Sequence, residues 1–300
     1  MHETGIQTKT DINVMVLSGG ASLGAAQVGM LRALVESNTP IDVLVGTSVG
    51  AFNAAWMAGH TEPGSVDALT DVWQGLRRRD VFPLNPWRNV AALSGRRQSV
   101  FSDAGMRALL RRHLTFDRLE EASIPLHVVA VDVQSGKDVL LSEGSAVDSI
   151  VASAAIPGLL PPVLIGGHWY MDGGVVNNAP ISYAVDLGAV TIWVLPAGFP
   201  CALVQPPATA LAMALHGIST LVQHRLALDA MRFHEGVALR VVPPPCPLSI
   251  SPVDFSHSRE LIEHAFQSTM GWLAGGCPDM RRSLYPHHHD DDGVVQHRAD

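Results

Sequence analysis

Cysteine is nearly absent. The three present, Cys201, Cys246 and Cys277, are odd in number and widely spaced, with no C-x-x-C pair and no histidine at ligand spacing. That excludes a disulfide framework and a zinc knuckle, and reads as free thiols in a reducing compartment. No window approaches the roughly 18 uninterrupted apolar residues of a spanning helix. Residues 1–11 are polar and lack the basic and apolar regions of a leader peptide. The expected location is therefore cytoplasmic, with at most peripheral contact with a membrane. Positive charge is also scarce. The net charge is −8, and the tail 286–300, with four Asp and one Arg, carries −3 of it, leaving −5 for the body. Long-range attraction to nucleic acid is not expected. There is no internal repeat, and the tail, rich in His and Asp, reads as disordered.

Apolar residues are plentiful: 47% of the 300 residues are hydrophobic and 16% charged. A chain of that composition buries a sizeable core, and α/β domains often reach this length as one unit. Residues 1–285 are expected to form a single α/β domain, with a motif-bearing part at 12–195 and a mostly helical part at 196–285.

The most informative stretch is Val43-Leu44-Val45-Gly46-Thr47-Ser48-Val49-Gly50-Ala51. A short apolar run ends in G-x-S-x-G and passes directly into a helical pattern, the context of a nucleophile elbow. A serine at a sharp strand-to-helix turn stands clear of both elements beside the first helical N–H groups, and the flanking glycines let strand and helix cross closely. Ser48 is the candidate nucleophile; the plainer alternative is a helix cap.

Upstream, the strand-like run 12–17 opens on Ser18-Gly19-Gly20-Ala21-Ser22-Leu23-Gly24 before a periodic segment at 25–36. Backbone N–H groups in such a loop, at a positive helix end, suit a phosphate or an oxyanion. The sequence lacks the Gly-Lys-Ser/Thr of a Walker loop and the spacing of a dinucleotide fingerprint. Two successive strand-loop-helix units imply parallel strands, so both loops are expected at the C-terminal edge of one sheet.

Farther along, residues 66–79 read as one helix. Val81-Phe82-Pro83-Leu84-Asn85-Pro86-Trp87-Arg88 reads as a lid meeting a lipid surface or as an irregular connection with its aromatics tucked away. A helix is expected at 103–113, a strand pair at 126–132 and 138–141, and a small-residue helix at 146–155. A tight hairpin follows around Gly166-Gly167. Asp172-Gly173-Gly174 then offers a carboxylate in a turn with little bulk around it, or an Asx turn. A strand at 189–195, a helix at 208–233, a strand at 236–242 and a helix at 256–273 complete the chain.

With Gly19-Gly20-Ala21-Ser22-Leu23-Gly24, Gly46-Thr47-Ser48-Val49-Gly50, Ser153-Ala154-Ala155-Ile156-Pro157-Gly158 and Asp172-Gly173-Gly174 in that order, the chain resembles the patatin-like phospholipases. The resemblance implies a three-layer α/β/α fold with a mostly parallel central sheet, and hydrolysis of lipid acyl esters by a Ser-Asp dyad. It implies Ser48 as nucleophile, Asp172 as its partner, and the N–H groups of Gly19, Gly20 and Ala21 as an oxyanion hole. It calls for no metal or organic cofactor. Two residues depart from the family pattern. Ala21 replaces a glycine and would be strained by about 1–2 kcal/mol at positive φ. Leu23 replaces a basic residue, which weakens the case for an anionic phospholipid as preferred substrate, so that a neutral glycerolipid, a lysophospholipid or a simple ester fits as well. Three alternatives stand beside this reading. One is a Ser-Asp-His triad drawing on His216, His224, His234, His257 or His264; the others are a transacylase and a catalytically inactive lipid- or partner-binding protein.

Overall fold

The computed structural model describes residues 11–83, 98–197, 206, 210–233, 236–245 and 250–278. Its centre is an eight-stranded sheet in the order β5-β6-β3-β2-β1-β7-β8, with β4 paired to β3. The strands are β1 (Asn13–Leu17), β2 (Val43–Thr47), β3 (Leu126–Asp132), β4 (Asp138–Leu141), β5 (Val163–Ile165), β6 (His168–Asp172), β7 (Thr191–Leu195) and β8 (Ala238–Val241). The run β3-β2-β1-β7-β8 is parallel throughout, whereas β4, β5 and β6 join by antiparallel pairing.

Alternation along the strands builds the layers, since successive side chains leave opposite faces of a sheet. Met15 and Leu17 of β1 join one core cluster, while Val14 and Val16 join another. The first cluster is covered by α1 (Gly24–Glu36), α2 (Val49–Gly59), α3 (Ser65–Gly75), α6 (Ala146–Ser153) and α9 (Ser258–Ala274). The second is covered by α7 (Ile181–Asp186) and α8 (Ala210–Arg232), through Ile181, Ala184, Leu226 and Ala230. The result is the three-layer α/β/α arrangement with a mostly parallel sheet that the sequence implied.

Residues 66–79 do not form one helix. α3 stops at Gly75, Leu76 and Arg77 are extended, and a single turn, α4 (Arg78–Val81), follows. Glycine is a poor helix former, and the extended Leu76 turns its side chain into the core, where it is 7% exposed. The helix α5 (Ala104–His113) packs against α4. Of the aromatic stretch beginning at Val81, residues 84–88 lie outside the described residues. Val81 and Phe82 are buried, with Phe82 against Phe101 and Phe255.

The part after residue 195 is not only helical. β8 extends the sheet beside β7, and α9 lies along α1. The two helices touch so closely that a Cβ on Gly29 would sit 2.1 Å from the Ile262 carbonyl oxygen. Arg32 completes the contact by stacking over Phe266 at 4.3 Å. Cys277 is a free thiol; Cys201, Cys246 and the tail lie outside the described residues.

Candidate active site

Strand order alone brings two distant segments together. β2 pairs with β3 as far as Thr47 opposite Val129, and β6 pairs with β3 from Asp172 opposite Ala130. Both lie on the same edge of β3, because β4 occupies the other edge over residues 128–131. Being antiparallel to β2, β6 runs toward it, and the two strands meet end to end. Ser48 follows the last residue of β2, and Asp172 is the last residue of β6.

The Ser48 hydroxyl accordingly donates to Asp172 Oδ2 at 2.8 Å, and both residues are 6% exposed. Ser48 has φ 55° and ψ −125°, the strained conformation of an elbow. The turn is possible because α2 crosses β1 closely: a Cβ on Gly50 would lie 2.2 Å from the Leu17 carbonyl oxygen. Ser153 holds the elbow in place. Its hydroxyl accepts the Ser48 N–H at 2.8 Å and donates to the Val129 carbonyl at 2.6 Å.

Asp172 Oδ1 accepts the Gly174 N–H at 2.7 Å, so both carboxylate oxygens have a donor. Even so, its pKa is pushed up to about 6, because burial penalises the charged form more than these two hydrogen bonds favour it. A carboxylate titrating near 6 is still ionised at neutral pH and is a stronger base than an ordinary aspartate.

The glycine loop lies against Ser48, and a Cβ on Gly19 would meet Ser48 Cβ at 3.0 Å. Gly19 itself is engaged with Asn178: its N–H donates to the Asn178 carbonyl at 3.3 Å, and Asn178 Nδ2 donates to the Gly19 carbonyl at 3.2 Å. Ser22 N–H donates to Pro252 and Leu23 N–H to Gly20. The N–H groups of Gly20 and Ala21 have no acceptor among the described residues. Ala21 has φ 51°, the left-handed conformation in which its methyl is strained.

Beside Ser48 and Ala21 opens an apolar cavity of about 60 Å³, with Val49, Phe52, Trp73, Phe82, Leu110 and Phe255 among its lining. Among the described residues no charged side chain lines it. Among the described residues no cluster of His, Cys, Asp and Glu is suited to a metal ion. The hydrogen bonds of Asp172 go to Ser48 and Gly174, and none goes to a histidine. His257 is half-buried and faces Asp254 and Glu260, and His264 is exposed on α9. His216 lies on α8; His234 and the side chain of His224 fall outside the described residues.

Sequence reasoning brought Ser48, Asp172 and the glycine loop to one place and gave no role to Ser153 or Asn178. Each is a small polar residue whose task is to bond backbone from a distant segment, and neither carries a periodicity or spacing that reveals this.

The family description "Patatin-like phospholipase" matches residues 15–185, more than half of the chain. The chain belongs to this family. Among curated patatin-like relatives, "Patatin-like phospholipase domain-containing protein 7" of Mus musculus is 29% identical over 187 residues, which is 61% of this chain and 13% of that protein. "Lysophospholipase NTE1" of Pyricularia oryzae is 27% identical over 184 residues, 61% of this chain and 12% of that protein. The chain thus matches about one eighth of the length of these relatives. Among solved structures, VipD from Legionella pneumophila is similar with a TM-score of 0.46 and 14% identity, over 88% of this chain and 67% of that one. β7 lies beyond the matched patatin-like region, yet it belongs to the parallel run of the sheet, between β1 and β8.

Proposed function

We propose that this patatin-like chain is a serine acyl hydrolase of lipid esters working through a Ser48-Asp172 dyad. The observation that carries the reading is the 2.8 Å hydrogen bond from the Ser48 hydroxyl to Asp172, made beside an uncharged apolar cavity. As Ser48 Oγ attacks the ester carbonyl, its proton passes to Asp172 Oδ2. The tetrahedral oxyanion is held by the N–H groups of Gly20 and Ala21. Gly19, whose N–H is bonded to Asn178, serves as the loop's anchor rather than as a third donor. Collapse expels the alcohol, which takes the proton from Asp172 and leaves an acyl-Ser48. Water then attacks the acyl-enzyme, giving its proton to Asp172, which returns it to Ser48 as the fatty acid departs. Loss of one oxyanion donor typically costs about 3 kcal/mol of barrier lowering.

Leu23 places an apolar side chain where the family pattern has a basic one, so the favoured substrates are neutral glycerolipids, lysophospholipids or simple esters reached at a membrane surface. The test is turnover of p-nitrophenyl esters of graded chain length by wild type, Ser48→Ala and Asp172→Asn, with folding followed by circular dichroism. Activity in wild type alone is the expected result. Turnover surviving in Ser48→Ala overturns the dyad. A folded wild type inert on these esters, on lysophospholipid and on neutral glyceride assigns the chain to lipid binding without catalysis.

A further inference from the structure

A chain of buried hydrogen bonds runs from the wall of the apolar cavity to the root of the glycine loop, and the mechanism above makes no use of it. It begins at Trp73 of α3, which lines the cavity and is 1% exposed. Its indole Nε1–H donates to Asn53 Oδ1 at 2.9 Å. Asn53 of α2 donates in turn to Gln27 Oε1 at 2.9 Å and to the Gly24 carbonyl at 3.0 Å. Gln27 of α1 donates to the carbonyls of Ser18, at 2.8 Å, and Leu195, at 2.9 Å. Ser18 immediately precedes Gly19, and Gly24 is the loop's last residue, where α1 begins.

Asn53 and Gln27 are both 0% exposed, and each of their amide atoms is bonded. Three apolar side chains in these places would fill the same space without the cost of desolvating two carboxamides. What the polar set adds is orientation, because a fully satisfied buried network admits one arrangement. Phe52, edge-on at 6.4 Å, and Phe255, stacked at 6.3 Å, confine the other sides of the indole.

We infer that Trp73 is the specificity-determining residue of the acyl cavity, and that Asn53 and Gln27 are positioning residues tying its indole to the loop that presents the Gly20 and Ala21 N–H groups. One network then sets both the acyl length accepted and the geometry of the oxyanion donors. The inference rests on the acyl-hydrolase reading for its kinetic half, while its pocket half is read by binding alone.

The experiment has two arms. In the first, straight-chain fatty acids from butyrate to laurate are titrated calorimetrically into Ser48→Ala protein, with and without Trp73→Leu. Each methylene that finds apolar wall tightens binding about fourfold, until the chain outgrows the cavity. Trp73→Leu is expected to move that break to a longer chain, and an unmoved break overturns the assignment of Trp73.

In the second arm, kcat and KM are measured on p-nitrophenyl esters and normalised to active sites titrated with a fluorophosphonate, so that misfolded protein does not count. Gln27→Met is expected to leave the break in place and KM unchanged. It lowers kcat by about ten- to a hundredfold on every ester, the shortest included. Asn53→Leu is expected to show both effects. If it does not fold, Gln27→Met and Trp73→Leu decide from the two ends. A Gln27→Met kcat equal to wild type overturns the positioning role. A wild type without turnover refutes that role together with the hydrolase reading, while the binding arm still decides Trp73.

Discussion

Replacing Asp172 by Asn is expected to abolish hydrolysis and at the same time to stabilise the fold. The carboxyl's pKa rises from 3.8 to about 6 on burial. Folding with the ionised group in place is therefore penalised by about 3 kcal/mol, at 1.36 kcal/mol per pKa unit. Because the folded pKa is the raised one, the penalty is absent below pH 3.8, where both states are protonated. It grows as pH rises through the interval up to about 6, and is constant above that. Asparagine retains an acceptor for the Gly174 N–H and can donate to the Ser48 oxygen, and it carries no charge to desolvate. Asp172→Asn should therefore melt roughly 4–8 °C above wild type at pH 8, with the gain vanishing near pH 4. The assay is differential scanning calorimetry of both proteins across that range. Parallel pH curves, or a variant less stable than wild type at pH 8, would refute the reasoning that burial dominates at Asp172. The same titration predicts that kcat/KM rises with pH through about 6, since the base must be ionised to accept the serine proton.

Ala21→Gly should release the strain of φ 51°. About 1–2 kcal/mol is recovered, of which glycine's extra chain entropy takes back about 0.5–1; urea denaturation is expected to show a small gain in stability with kcat little changed. Ser153→Ala removes the acceptor of the Ser48 N–H and the donor to Val129, both buried. It should cost about 1–3 kcal/mol and lower kcat without raising KM, as read by thermal melting and steady-state kinetics. Gly29→Ala drives a methyl to 2.1 Å from the Ile262 carbonyl oxygen. A loss of about 1–3 kcal/mol is expected from such overpacking, with limited proteolysis cutting near α9 before the rest of the chain.

Much of the fold was legible because its signals are local. The apolar runs before Ser18 and Ser48 each end in glycines, and two such units in succession imply parallel strands with their loops on one edge. The break at Leu76 was less visible. The apolar positions Val66, Leu69, Val72, Trp73 and Leu76 keep helical spacing straight through Gly75, and the helix ends there because that glycine is joined by the packing of an extended Leu76 into the core. The partnership of Ser48 with Asp172 was implied by family resemblance rather than by pattern. Its physical basis is a pairing across 124 residues, with β6 docking on β3 where β2 stops. Asn178 and Ser153 were illegible for the same reason. Each satisfies backbone groups whose positions exist only after the sheet has formed.

The contact between α1 and α9 has a consequence for biosynthesis. Val28, Leu31 and Leu34 on α1 belong to the same core cluster as Leu261, Ile262 and Ala265 on α9. The 221 residues between Glu36 and Ser258 must be translated before that partner exists. At ordinary elongation rates α1 waits on the order of 10–45 s with this surface uncovered. During synthesis α1 therefore presents an apolar ledge, the kind of surface chaperones recognise, until α9 arrives to cover it.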